Sequence, residues 1–274
     1  MNINESLKKI NDASIAMRQQ AITMTYNTGI TGAHIGGGLS LIEIMAVLYM
    51  GILKYNIDDL MDDTRDRLVF SKGHGAIALY TAMWQAGIIT ENDLATFKHN
   101  ESPISAHPSI NSNIGIEFSS GSLGQGLSLG VGVSISLKRK NNLDSNVYVI
   151  LGDGECNEGS IWEAAAYASH LKLDNIIVII DNNRLQYDGK TADILSMNPM
   201  AEKWKSFGWD AVTVDGHNTK MLYDELSKSH NLPLVIIANT IKGKGVSFME
   251  NNPLWHNGRL SENQYKQAIS EVSL

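Results

Sequence analysis

The chain has 274 residues, 43% of them hydrophobic and 19% charged, with a formal net charge of -7 at pH 7. That is the composition of a soluble globular protein with length enough for one large core. The acidic balance leaves no basic surplus to neutralise a phosphate backbone, which argues against nucleic acid as a partner, and no apolar run approaches the ~18 residues needed to cross a bilayer.

Its one cysteine, Cys156, excludes an internal disulfide framework and fits a reducing compartment. The N-terminus spaces polar and charged residues throughout and shows no apolar signal core, so a cytoplasmic protein without membrane attachment is expected. The basic cluster Lys138-Arg139-Lys140 follows an apolar helical pattern and reads as a solvated helix C-terminus.

In chain order, Glu5 to about Asn27 carries Leu7, Ile10, Ile15, Met17, Ile22 and Met24 at roughly helical spacing, and Gly29 and Gly32 end it. Leu41 to Leu53 is a second, largely apolar helix. Leu68-Val69-Phe70 is a short strand running into Ser71-Lys72-Gly73-His74-Gly75, and Ala76 to Gln85 is helical. Asn100 to Gly126 is a long polar loop rich in Gly, Ser and Pro, of the kind that is functional or disordered. A deeply buried helix is expected over 127–140. Strand 147–151, helix 158–171, strand 176–181, a helix near 200–206, strand 210–214, helix 219–229 and strand 234–240 follow. This alternation predicts an α/β fold with a doubly wound, mainly parallel sheet and helices on both faces. One domain over 1–274 is expected, with an irregular tail after about Lys242.

The most telling stretch is Gly152-Asp153-Gly154-Glu155-Cys156-Asn157-Glu158-Gly159, followed later by Asp181-Asn182-Asn183. Asp153 and Asn183 each come just after an apolar strand-like run, 147–151 and 176–180. Adjacent parallel strands joined by a crossover helix would bring both oxygens to one sheet edge, where open α/β folds bind ligands. A carboxylate with an amide oxygen suits Mg²⁺ or Ca²⁺ carried in with phosphates, and the helix N-terminus near 158 adds N–H groups. Asp153 would repel a diphosphate unless a divalent cation lay between them. The bland alternative is an Asp-Gly turn and an Asn cap. A dinucleotide fingerprint fails because Asn157 stands at the third glycine, and a P-loop ending at Gly189-Lys190-Thr191 fails because Arg184 stands at the first. The chain has no His-Glu-x-x-His and no paired cysteines, which argues against zinc.

Of the eight histidines, His34, His74, His107 and His256 sit in loops with Gly or Pro, where imidazoles can face a cleft and move protons near pH 7. His99, His170 and His230 lie near helix ends and His217 in a turn, positions that are more often capping or surface.

Taken together these residues resemble the transketolase family of thiamine-diphosphate enzymes. Gly152-Asp153-Gly154 through Asn183 matches the family's cofactor motif. Gly121-Ser122-Leu123-Gly124-Gln125-Gly126 is similar to its Gly-Pro-Leu-Gly-Gln-Gly loop, with Ser122 in place of proline. His34, Ser71-Lys72-Gly73-His74-Gly75, His107-Pro108, Lys242-Gly243-Lys244-Gly245 and His256 match further signatures, in the same order along nearly the whole chain. The resemblance implies thiamine diphosphate with Mg²⁺ or Ca²⁺ as cofactors. Asp153, Asn183 and the Leu185 carbonyl would bind the metal. Gly154, His74 and His256 would contact the diphosphate side, with Glu155 and Asn183 also assigned to the cofactor. Gly121, Ser122 and Leu123 would support the thiazolium. Glu158 would join a carboxylate network across a subunit interface, and His34, His107 and His256 would face the ketose. The cofactor would supply the carbanion chemistry.

Transketolases are longer, and this chain ends soon after His256, without the pyrimidine-binding domain and its activating glutamate. The resemblance therefore implies the N-terminal subunit of a split enzyme, which transfers a two-carbon ketol group from a ketose or ketose phosphate to an aldose. A separate C-terminal transketolase subunit would complete it, as a heterotetramer. Ser122 and the Ser105-Ala106-His107-Pro108-Ser109 version of the third histidine motif leave the donor pocket open. Deoxyxylulose-phosphate synthases share the metal motif but lack the His107-Pro108 pattern. A split transketolase for an unusual sugar, a non-catalytic cofactor-binding regulatory subunit and a nucleotide-binding module are the competing readings.

Overall fold

The computed structural model describes residues 3–140 and 144–273. Five strands form one sheet: β1 (Arg67–Phe70), β2 (Val147–Gly152), β3 (Ile176–Asn182), β4 (Asp210–Asp215) and β5 (Leu234–Asn239). Their spatial order is β1-β2-β3-β5-β4 and each pairing is parallel. The expected strands are all present, within a residue or so at each end.

Side chains alternate across a strand, and each of the sheet's faces carries its own core. Tyr148, Ile150, Ile177, Ile179 and Ile236 pack with α1 (Ile3–Asn27), α2 (Ile35–Leu39), α3 (Ile42–Val47) and α4 (Ala76–Gln85). After α5 (Glu91–Ala95), the opposite face packs Val147, Val149, Leu151, Val178, Ile180, Val235 and Ile237 with α6 (Gly126–Arg139) and α7 (Gly159–His170). Beyond α8 (Thr191–Leu195), α9 (Met200–Ser206) closes that layer through Trp204, and α10 (Thr219–Leu226) joins the first. Double-sided burial explains why β2, β3 and β5 read as continuous apolar runs rather than alternating ones.

Three expectations are corrected. The tail after Lys242 is not irregular throughout, because α11 (Glu262–Val272) forms there, opened by a Ser261/Gln264 capping box. Tyr265 of α11 stacks on Tyr26 of α1 with ring centroids 4.3 Å apart. Helix α6 is buried on one face alone, through Leu127, Gly130, Val131, Ser134 and Leu137, while Leu129 is 37% exposed. It lies close to the sheet because Gly130 has no Cβ, an atom that would sit 2.6 Å from Val149 Cγ2. The second helix, expected over 41–53, is helical over 42–52 but not α-helical throughout, since α3 passes directly into a π-helical turn over Leu48–Ile52.

The 100–126 loop is nearly free of regular structure, with one helical turn at Ser112–Ile114. It is pinned by Glu117, whose carboxylate meets Arg65 at 2.9 Å and Arg67 at 3.2 Å.

Candidate active site

Register places the Asp153 and Asn183 loops side by side. Gly152 pairs with Asp181 across β2 and β3, and Asn182 pairs with Asn239 across β3 and β5. Asp153 is buried, with Oδ1 accepting from Gly154 N at 2.9 Å and Oδ2 from Arg184 N at 2.7 Å and the Thr191 hydroxyl at 3.0 Å. Burial raises its pKa, and the nearby Asp181 charge adds to the rise. Asn183 Oδ1 accepts from Leu185 N at 3.1 Å. A cavity of about 680 Å³ opens at this edge, with Asp153, Asn183, Leu185, Thr191, Asn239 and Lys244 among its walls.

The four loop histidines come together from four separate segments. The His34 ring lies 5.9 Å from His74, 5.4 Å from His107 and 5.4 Å from His256, and His74 lies 5.1 Å from His256. Burial is the main cause that lowers each pKa: His34 to about 4, His256 to about 3, and His74 well below its ordinary value. His107 is lowered by burial and by Lys98. Near pH 7 His34 and His256 are neutral imidazoles, able to accept a proton. Backbone contacts set the cluster. Ala33 and Gly258 exchange two 2.9 Å hydrogen bonds, and a Cβ on Gly36 would lie 2.6 Å from the Trp255 carbonyl oxygen. No side chain larger than hydrogen fits there.

Gly121, Ser122 and Leu123 form an exposed rim, and a Cβ on Gly121 would touch the His107 ring at 3.6 Å. Gly154, next to Asp153, is partly exposed with its N–H on that carboxylate. Glu155 departs from its expected place. Its buried carboxylate accepts from Ser71, from Gly124 N at 2.9 Å and from Gly152 N at 3.1 Å. It ties the 121–126 loop to the Gly-Asp-Gly turn, and burial raises its pKa. Glu158 is exposed beside that loop, packed so closely that a Cβ on Gly124 would meet its Cβ at 2.7 Å.

Several site residues gave little sign of themselves in the sequence. Lys72 and Asp181 form a fully buried ion pair, which Ser40 and Thr240 complete by donating to Asp181. Lys242 donates to Leu185 O at 3.1 Å and meets His256 Nδ1 at 3.0 Å, and burial lowers its pKa to about 8. Both lysines stand inside glycine-rich motifs, Ser71–Gly75 and Lys242–Gly245; a cation amid glycines was the available signal. His217, expected as a turn residue, is fixed by Glu43 at 2.8 Å and accepts from Ile241 N. His99, His170 and His230 lie outside the cluster.

The family model described as "Transketolase, thiamine diphosphate binding domain" matches residues 12–273. The chain belongs to the transketolase family. It is 38% identical over 271 residues to one of the subunits of the apulose-4-phosphate transketolase of Actinobacillus succinogenes, covering 98% of each chain. It is 39% identical over 242 residues to the 6-deoxy-6-sulfo-D-fructose transketolase subunit SqwG of Clostridium sp. (strain MSTE9), covering 87% of this chain and 88% of that one. The transketolase of Leishmania mexicana superposes with a TM-score of 0.87 at 28% identity, over 96% of this chain and 41% of that chain. The expected fold, the thiamine-diphosphate-binding domain of a transketolase, is borne out. The chain thus matches nearly the full length of two relatives that are each named as a transketolase subunit, and less than half of the Leishmania mexicana chain. Among the described residues no helix is long and apolar enough to cross a membrane.

The oxygens at the sheet edge fit a hard divalent cation. Asp153 carries a buried carboxylate that forms no salt bridge among the described residues, and Asn183 and Leu185, whose amide and carbonyl oxygens are neutral, line the same cavity. Among the described residues no group of three His, Cys, Asp or Glu could hold a metal.

Proposed function

We propose that this chain is the diphosphate-binding subunit of a two-chain transketolase, which moves a two-carbon ketol unit from a ketose to an aldose acceptor. The observation that carries the reading is the closure of four imidazoles from four loops beside the Asp153–Asn183 edge. Thiamine diphosphate would supply the carbanion that holds the two-carbon unit.

This chain's own residues do the rest. Asp153, Asn183 and the Leu185 carbonyl would hold Mg²⁺ or Ca²⁺, and His74, Gly154 and His256 would bind the diphosphate. The rim at Gly121–Leu123 would support the thiazolium. Neutral His34, His107 and His256 would accept and return hydroxyl protons of the sugar. The exposure of Glu158 supports a role at a subunit boundary, in a cytoplasmic assembly of two copies of each chain. Both relatives named above act on anionic, unusual sugars by their names, and a ketose of that kind is the substrate class we assign.

The test mixes the chain with its C-terminal partner, thiamine diphosphate and Mg²⁺, and follows glycolaldehyde transfer. Transfer that disappears in His34→Ala and in His107→Ala supports the reading. Transfer indifferent to both would leave this chain a regulatory subunit.

A further inference from the structure

His256 and Lys242 meet at 3.0 Å through the imidazole Nδ1 and the ammonium. The Lys242 side chain is buried, and its nitrogen also lies 3.1 Å from Leu185 O and 3.3 Å from Gln186 O. An ammonium has three hydrogens to donate and no acceptor. Two go to the carbonyls and the third goes to Nδ1. Leu185 O has a second lone pair, so a metal at that oxygen leaves the lysine contact in place. His256 is kept neutral at pH 7 by burial first and by the Lys242 charge next, and a neutral imidazole carries one hydrogen. With Nδ1 accepting, that hydrogen belongs on Nε2, which bonds to no protein atom among the described residues.

Lys242 is itself carried on a strap anchored away from the cluster. Glu43 of α3 accepts through one carboxylate oxygen from Arg18 of α1 and through the other from His217 Nδ1, the latter at 2.8 Å. Arg18 donates to Lys244 O at 2.7 Å, and His217 Nε2 accepts from Ile241 N at 2.8 Å. Between those points Gly243 N donates to Gly36 O at 2.9 Å. One carboxylate thus secures both ends of segment 241–244, with Lys242 inside it.

We propose that Lys242 is a positioning residue that locks His256 in its Nε2–H tautomer, and that Glu43, through His217 and Arg18, keeps Lys242 in place. Hydrogen-bond partners decide which imidazole nitrogen carries the hydrogen. The lock divides the work among the imidazoles. His256 donates its Nε2 hydrogen to an acceptor oxygen of the cofactor or sugar, and hydroxyl protons are taken up by His34 and His107. That division rests on the transketolase reading, whereas the tautomer rests on the geometry alone.

The test reads the His256 ring by long-range proton–nitrogen NMR correlation on the full chain at pH 7, without cofactor or partner. Wild type is expected to show Nδ1 free of hydrogen and Nε2 bearing it. Lys242→Met is expected to release the lock and give both tautomers, and Glu43→Gln to shift the balance the same way by less. A wild-type ring with its hydrogen on Nδ1 overturns the proposal, and that spectrum decides even where a variant does not fold. A ring in Lys242→Met unchanged from wild type overturns it as well, and no shift in Glu43→Gln overturns the part given to the strap. The assembled enzyme with thiamine diphosphate and Mg²⁺ supplies the second arm. Lys242→Met is expected to lower kcat/KM for ketol transfer about ten-fold, the loss typical of removing a partner that fixes an imidazole. Unchanged transfer would overturn the donor role of His256. Absence of transfer by the wild-type pair would fail the transketolase reading, and the spectra would still decide the tautomer.

Discussion

The Lys72 ammonium and the Asp181 carboxylate meet beneath the histidine cluster, 2% and 0% exposed respectively, with the Gly37 carbonyl 3.1 Å from the same ammonium. Lys72, Ser40, Thr240 and Asn183 all donate to Asp181, and the ammonium above all holds its carboxyl below the ordinary range despite complete burial. Removing one partner strands the other. Lys72→Met is expected to cost about 3–5 kcal/mol in urea unfolding, and Lys72→Met with Asp181→Leu to recover part of that loss. A single variant as stable as the parent would contradict the pairing.

Asp153 is the buried acid that a cation would relieve. Thiamine diphosphate with Mg²⁺ is expected to raise Tm, by about 2.7 kcal/mol of stability at a hundredfold excess over Kd. Asp153→Ala should lose that rise, and NAD or ATP should not produce it. Differential scanning calorimetry reads all three.

The histidines predict an acid-side weakness. Folded pKa values near 4 for His34 and near 3 for His256 lie below the unfolded value of about 6.5. Between those limits the unfolded chain binds more protons, so stability falls as pH drops from 7 toward 4. Thermal unfolding should show a lower Tm at pH 5 than at pH 7, with a smaller drop in His256→Asn. A Tm independent of pH across this range would refute the buried neutral imidazoles.

Glu117 anchors the loop that carries His107 and the 121–126 turn. Its carboxylate answers two guanidinium groups that are each 8% exposed. Glu117→Gln is expected to cost about 1–3 kcal/mol. Amide hydrogen exchange over 100–126 should accelerate more than in β2 or β3, and a uniform change would argue against a local anchor.

The strands were legible because burial on both faces makes them continuous apolar runs, and the candidate site at the sheet edge because Asp153 and Asn183 follow two of them. Helix α2 was not: Gly36-Gly37-Gly38 has poor helix propensity, and glycines stand there because a Cβ on Gly36 would lie 2.6 Å from the Trp255 carbonyl oxygen and one on Gly38 2.2 Å from Ile77 Cγ2. The Lys72–Asp181 pair was hidden for a related reason, since a lysine inside Ser71-Lys72-Gly73-His74 gives no sign of which strand end it will face. Glu155 shows the converse. Adjacency to Asp153 suggested cofactor contact, whereas the turn at Gly154–Asn157 directs its carboxylate inward to Ser71.

The paired hydrogen bonds between Ala33 and Gly258 have a consequence for truncated chains. They join residues from opposite ends of the sequence, and His34 and His256 flank the junction. The sheet edge is built entirely from residues up to the end of β5, whereas the imidazole quartet also needs the segment around Gly258. A chain that stops short of Gly258 therefore lacks the paired bonds that seat His34 beside His256, and does not present the four rings together.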